Sequence, residues 1–188
     1  MKNSPELLNL MNIKEKFTDY LDLIKSLKHP MHQNDILEFM YRLKRDPLSS
    51  GPYPKVSLFE TANRIFSDLV IFLGVKQLLT DPMVDNTRLP FTEYKVRFGV
   101  TAGHDLEADS GSVHLIGEAF HVASSLFTKK LADTEKKLQR EKADYKLIIF
   151  NSDAAENRDN YLKKSAPSMF YLTVDVPKTL REIRDKVG

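Results

Sequence analysis

The sequence contains no cysteine, few glycines and no long apolar run, and each absence excludes a class of function. Without cysteine, disulfides, thiolate metal sites and cysteine nucleophiles are excluded. Only seven glycines are present, and there is neither a phosphate-binding glycine loop nor a dinucleotide fingerprint. The longest apolar stretch, near Leu69–Leu73, is too short to cross a bilayer, and residues 1–30 contain no recognisable signal peptide. A soluble, cytoplasmic protein that does not engage a membrane is therefore expected.

The size and charge of the chain favour one core and give no general signal for nucleic acid. The 188 residues are 41% hydrophobic, which suits a single sizeable core. A formal net charge of +2 is too small to indicate nucleic-acid binding by itself, so any such binding must use local basic patches. Two such patches are 42–45 and 163–164. Their cations either complement a helix end or neutralise phosphates.

The hydrophobic pattern divides the chain into an N-terminal arm and a main body. Apolar residues recur at helical spacing over residues 5–28, and His29-Pro30 ends that helix. A second helix begins at Asp35, whose spacing to Glu38 predicts a reciprocal cap. The proline-rich segment 46–54 is the clearest loop. We therefore expect a helical arm over residues 1–50 and a body over residues 51–188, which together form one compact domain.

The body alternates helices with strands and predicts an α/β fold with a mixed sheet flanked by helices. A buried helix is expected over 58–79 and a second, basic helix over 124–142. A polar helix over 154–164 and a final helix after Pro177 are also expected. The predicted strands are 94–101, 104–109, 113–122, 145–151 and 169–174, with Ser110-Gly111 as a tight turn.

Two acidic residues, Asp105 and Glu118, lie on neighbouring predicted strands. With Ser110-Gly111 as the turn, Asp105 opposes Ile116 and is a diagonal neighbour of Glu118. Both then share one face with Glu107, His114 and Phe120, and a slip of one residue in the turn is expected to destroy this arrangement. Strand alternation is expected to turn His104 and His121 away from that face.

The environment of Glu118 argues for a counter-charge. It lies in the apolar run 115–120, where an unpaired carboxylate is costly to bury, so it needs a metal ion, a cation or a proton. Two carboxylates on one face suit a hard cation such as Mg²⁺. The alternatives are an ion-paired or protonated Glu118, and turn chemistry beside Gly103 for Asp105.

Asp105, Glu118 and the 13-residue spacing between them resemble the core of the PD-(D/E)xK, or restriction-endonuclease-like, nuclease superfamily. The predicted order of helix, three-stranded meander, helix and strand is similar to its layout over about residues 57–175. The resemblance implies that Asp105 and Glu118 bind Mg²⁺. It also implies a lysine two positions after the glutamate, which positions or activates the attacking water. Phe120 stands at that position and cannot do so.

The missing lysine leaves two explanations open. Either a lysine of the next helix substitutes for it, with Lys130 preferred over Lys129 because it lies on the flank of the inward stripe, or the fold binds without cutting. The alternative for both lysines is a solvated helix face. Glu60 on the preceding helix either joins the site, as in many superfamily members, or belongs to a capping box with Ser57.

The resemblance implies a Mg²⁺-dependent endonuclease that cuts double-stranded DNA, most simply a type II restriction-like enzyme. A homodimer is expected because two strands must be cut with one site per chain. The alternative is a degenerate nuclease-fold module that binds nucleic acid or a protein partner without cleavage. A third reading is a nuclease specific for RNA or flap substrates.

Overall fold

The computed structural model describes residues 4–28, 35–99, 102–156 and 168–185. They form a mixed α/β fold in which a six-stranded mixed sheet is flanked by helices. None of the described helices combines the length and apolar character that a bilayer-spanning segment needs. The helices are α1 (Ile13–Lys25), α2 (Ile36–Arg45), α3 (Leu58–Thr80), α4 (Ser124–Gln139), α5 (Ser152–Ala155) and α6 (Val176–Asp185).

The main sheet has the strand order β1-β4-β5-β6-β7-β8. Pairing is antiparallel from β1 to β6 and parallel from β6 to β8. A separate two-stranded hairpin, which the sequence pattern did not predict, is formed by β2 and β3. The strands are β1 (Glu6–Asn9), β2 (Met83–Val84), β3 (Thr87–Arg88), β4 (Glu93–Val96), β5 (Leu106–Ser110), β6 (Val113–Phe120), β7 (Tyr145–Asn151) and β8 (Met169–Val174).

The sheet separates two hydrophobic clusters. The larger lies between the sheet and α3 and includes Leu106, Leu115 and Leu147. The smaller lies between the opposite face and α4 and includes Phe120 and Phe150. Because side chains of a strand alternate between faces, each central strand contributes to both clusters. The predicted helix 58–79 and strands 145–151 and 169–174 are confirmed within one residue.

The predicted helix over residues 5–28 is wrong in its first part. Residues 6–9 form strand β1, which pairs with β4 at the edge of the sheet. Asn9 Oδ1 accepts hydrogen bonds from the backbone N–H groups of Met11 and Asn12, so an asparagine turn separates the strand from α1. Leu8 is fully buried, and residues of the predicted arm thus share one core with the body.

Several predicted boundaries are shifted, and others lie outside the described residues. The strand predicted over 94–101 ends at Val96, before Gly99 with a φ of +74°. The helix predicted to reach residue 142 ends at Gln139. The predicted helix end at His29-Pro30, the end of the strand at 100–101, the part of the polar helix beyond residue 156 and the 163–164 patch lie outside the described residues.

A buried polar cluster fixes α1 and the 46–57 loop to α3. Asp68 on α3 is 1% exposed, and its carboxylate accepts hydrogen bonds from the hydroxyls of Tyr20 and Tyr53 and from the backbone N–H of Gly99. Burial raises the pKa of Asp68, against the effect of its hydrogen-bond donors. These hydrogen bonds offset the free-energy cost of burying the Asp68 carboxylate in an apolar core.

Candidate active site

The two predicted carboxylates converge at one end of the β5–β6 pair. Leu106 is paired with Gly117, so Asp105 and Glu118 are the next residues outward along the two strands. Asp105 Oδ2 accepts a hydrogen bond of 2.8 Å from the backbone N–H of Ala119, which fixes the aspartate beside β6. Lys137 on α4 contacts Glu118, and the charges of Lys137 and Lys130 act on Asp105, so both carboxylates lie toward the face that α4 covers.

The predicted hairpin register is wrong, although the predicted face is right. Ser110 is paired with Val113, so the turn consists of Gly111 and Ser112, and Gly111 adopts a φ of +62°. Moving a two-residue turn by one position changes every cross-strand partner by two residues. Such a change preserves the face of each side chain. The expectation that a slip of one residue in the turn destroys the arrangement was therefore also wrong, and Asp105 is closer to Glu118 than predicted.

Glu118 is held by two cationic or potentially cationic groups. Lys137 Nζ on α4 lies 2.7 Å from Glu118 Oε1, and His104 Nδ1 lies 2.8 Å from the same oxygen. The Glu118 side chain is only 12% exposed, whereas that of Lys137 is 49% exposed. The lysine therefore reaches a mostly buried carboxylate from the solvent side of the helix, and the counter-charge expected for Glu118 is present.

The lysine at Glu118 is not one of the two that the sequence favoured. Lys130 Nζ lies 5.7 Å from the centre of the Phe120 ring, and its charge also acts on Asp105. Lys129 is exposed. Lys137 follows Lys130 by seven residues, or two helical turns, and lies on the same flank of α4. The two lysines thus lie two turns apart on one flank of α4, and it is Lys137 that contacts Glu118.

His104 contacts Glu118, contrary to the prediction that strand alternation turns it away. Strand β5 begins only at Leu106, so the alternation does not extend to residue 104. Arg97 holds this segment, because its Nη1 donates to the backbone oxygen of His104 at 2.9 Å and to Glu107 Oε1 at 2.7 Å. His121 does point away, and it stacks on Phe66 of α3.

The other acidic candidates are engaged in structural ion pairs. Glu60 forms a salt bridge with Arg64 on α3, the helix against the opposite face, and its backbone N–H donates to Ser57 Oγ at 3.2 Å. The side-chain cap at Ser57 is thus present, and no contact joins Glu60 to the carboxylate pair among the described residues. Burial raises the pKa of Glu107, but Arg97 and Lys95 outweigh it and lower the pKa overall.

The carboxyl of Asp105 has a raised pKa. Its pKa is raised from 3.8 to about 6, first by burial and further by the negative charge of Glu118. The Ala119 N–H and the cations Lys137 and Lys130 oppose this shift. A cation placed between two facing carboxylates stabilises their ionised forms, most of all that of a buried carboxylate.

Among the residues that the structure describes, each carboxylate of the pair keeps one oxygen without a partner. One oxygen of each carboxylate, Asp105 Oδ1 and Glu118 Oε2, has no hydrogen bond or ion pair within the described part of the chain. Mg²⁺ is commonly bound by one or two carboxylates while it retains several waters. No group of three or more histidine, aspartate or glutamate side chains that could hold a metal ion occurs in the described ranges. Two carboxylates supply the hard oxygen donors that Mg²⁺ accepts.

Comparison with known proteins gives no family assignment. Neither protein-family models, nor curated proteins, nor solved structures yield a match to this chain.

Proposed function

We propose that this protein is a Mg²⁺-dependent endonuclease of the PD-(D/E)xK type that hydrolyses phosphodiester bonds in double-stranded DNA. The observation that carries the proposal is the contact between Lys137 and Glu118 beside Asp105. It unites two carboxylates and one lysine, the three groups that the superfamily resemblance implies. The lysine comes from α4 instead of β6.

The arrangement of elements supports the same proposal. Helix α3, the meander β4-β5-β6, helix α4 and strand β7 follow one another in the order expected for the superfamily. Helices α3 and α4 cover opposite faces of the sheet, and β7 is parallel to β6. Asp105 immediately precedes the middle strand of the meander, and Glu118 lies in its third strand.

Each side chain then has a defined role in the chemistry. Asp105 and Glu118 would hold Mg²⁺, and the bound ion would supply a water of lowered pKa and positive charge against the phosphate. Lys137 orients the attacking water or stabilises the negative charge of the transition state. His104 is a positioning residue, because it fixes the orientation of Glu118 through Oε1.

The surface around the site supports a polyanionic substrate. Helix α4 carries two exposed lysines, Lys130 and Lys137, on the flank that borders the carboxylates, so a local basic face is present although the net charge is small. The exposed Lys129, Lys136 and Asp133 lie on the side of α4 that points away from the sheet. Phosphate groups bind such a face through charge that does not depend on base sequence. Local charge can therefore direct the DNA backbone to the carboxylate pair.

Cleavage of supercoiled plasmid DNA with Mg²⁺ or Mn²⁺ tests the proposal. We expect Asp105→Ala and Glu118→Ala to abolish cleavage, and Lys137→Gln to lower the rate constant about 10²–10³-fold, as for loss of one transition-state donor. Lys136→Gln is the matched control, since it removes an exposed lysine at the neighbouring position and is expected to stay close to wild type. Metal-dependent cleavage that survives both carboxylate substitutions would falsify the assignment. Parallel reactions on duplex DNA, RNA and flap substrates identify the preferred nucleic acid.

One observation favours the non-catalytic alternative. Glu118 already has Lys137 and His104 as partners, so the carboxylate is compensated without any metal ion. A scaffold of this kind binds DNA or a protein but does not bind Mg²⁺ through Glu118. Calorimetry with Mg²⁺ or Mn²⁺ separates the two functions. A catalytic site binds the ion in the wild type and loses this binding in Glu118→Gln. A scaffold does not bind the ion in either protein.

A further inference from the structure

Helix α2 presents an apolar stripe to the surface. Four large hydrophobic side chains are mostly exposed: Ile36 (67%), Leu37 (74%), Met40 (56%) and Tyr41 (65%). They lie on one side of the helix, because the first and second pairs are separated by three to five residues, about one helical turn. No residue of α2 is buried. Four large exposed hydrophobic side chains on ten residues indicate a contact surface that the described part of the chain does not cover.

The helix is well formed at both ends, so the stripe has a fixed geometry. Asp35 caps its first turn by accepting hydrogen bonds from the backbone N–H groups of Leu37 and Glu38. Its last turn is closed by the Arg42–Asp46 ion pair at 2.6 Å. The inner side of α2 faces its own chain and packs against α3, which directs the stripe outward.

The charges beside the stripe are polarised along the helix. Asp35 is the N-cap and Glu38 lies in the first turn, whereas Lys44 and Arg45 lie in the last turn. Two copies of α2 placed antiparallel bring the acidic end of one against the basic end of the other. A parallel placement brings like charges together. Charge therefore selects an antiparallel partner of the same sequence.

We infer that two copies of this chain associate through antiparallel packing of their α2 helices, with the two-fold axis near Met40. The interface is self-complementary, as a two-fold dimer requires, and pairs Glu38 of each copy with Arg45 of the other. The inference deepens the proposed function, since such a dimer carries two carboxylate sites for the two strands of a duplex. A pair of ten-residue helices is small for an interface, so the dimer is expected to be weak and to form at micromolar concentration.

The test measures the oligomeric state of the full chain, without DNA or metal, by sedimentation velocity over micromolar to submillimolar concentrations. Wild type is expected to pass from monomer to dimer. Met40→Lys, which places two like charges at the axis, is expected to raise the dissociation constant about a hundredfold. Met11→Lys is the control, because Met11 is 94% exposed and lies outside α2. Circular dichroism verifies that each variant is folded.

Charge reversal tests the antiparallel orientation. Glu38→Lys and Arg45→Glu are each expected to weaken the dimer, because each places like charges opposite one another. The double variant Glu38→Lys/Arg45→Glu is expected to recover the wild-type dissociation constant. A parallel dimer is instead expected to respond little to either single variant, because positions 38 and 45 then face their own copies and like charges meet in the wild type and in every variant.

The outcomes are separable from those of the nuclease proposal. A protein that stays monomeric at all concentrations, a dimer insensitive to Met40→Lys, or a monomer that binds anionic vesicles through the stripe overturns the inference. The cleavage proposal survives each of these results, since one chain still carries a complete carboxylate site. Conversely, absence of cleavage leaves the sedimentation result unchanged.

Discussion

Asp105→Asn is expected to stabilise the protein at neutral pH while abolishing its proposed activity. The wild-type carboxyl is partly buried and faces Glu118, and its pKa is about 6 instead of the ordinary 3.8. A shift of about two pKa units corresponds to about 3 kcal/mol between the ionised and protonated forms. The amide is close in size, accepts the Ala119 N–H in the same way and carries no charge. The substitution therefore removes the free-energy cost of ionising this carboxyl in the folded protein.

The pH dependence of this gain follows from the direction of the shift. Below a pH of 3.8 the carboxyl is protonated in both the folded and unfolded protein, so its ionisation contributes nothing to the free energy of unfolding. Between 3.8 and about 6 the unfolded chain loses its proton more readily, and the wild type loses stability as the pH rises. Above about 6 the full cost is present. The difference between variant and wild type is thus largest at neutral pH and disappears in acid.

Thermal unfolding across a pH series measures the effect. For a chain of this size about 3 kcal/mol corresponds to an increase of about 6–12 °C in Tm at neutral pH. Mg²⁺ is expected to raise the Tm of the wild type and not that of Asp105→Asn, because the ion offsets the repulsion between the carboxylates. Asp133→Asn is the control, since Asp133 is an exposed aspartate on α4. A variant no more stable than wild type at neutral pH, or a gain that persists unchanged in acid, would refute this account of the site.

Two further predictions concern the elements that hold the site. Gly117→Ala is expected to lower the free energy of unfolding by about 1–3 kcal/mol in urea, because its Cβ falls 2.2 Å from Leu106 Cδ2 beside Glu118; an unchanged midpoint contradicts this packing. Tyr53→Phe removes a donor to Asp68 and is expected to cost about 1.5–3 kcal/mol in the same assay. A neutral effect shows that this hydroxyl does not support the buried carboxylate.

The sequence was sufficient for most elements and for the face that carries the acids. Apolar periodicity predicted α3, β7 and β8 closely, because each is long or continuously apolar. It failed at residues 6–9, where four residues are too few to distinguish a strand from the start of the helix that follows. The hairpin register was also missed. Ser110-Gly111 and Gly111-Ser112 are both acceptable turns, and packing of Leu106 against Gly117 favours the second.

The site was only partly predictable, because two of its members are set by tertiary geometry. Asp105 and Glu118 follow from strand alternation, which is a local property. Lys137 depends on the angle at which α4 crosses the sheet, and no spacing along the chain encodes that angle directly. His104 was missed because the start of β5 was placed two residues too early.

The position of the cation on α4 has a physical explanation in the second hydrophobic cluster. Phe120 is 3% exposed, and its ring lies 5.7 Å from that of Phe150 and 6.4 Å from that of Phe127. A lysine at this position places its charge inside an aromatic contact, where an ammonium group is expensive to bury. Lys137 keeps half of its side chain in solvent while its Nζ reaches Glu118. Under the proposed function, a core aromatic and a cation near Glu118, which one β6 residue cannot supply together, thus come from two different elements. Phe120 completes the core, and the helix supplies the charge.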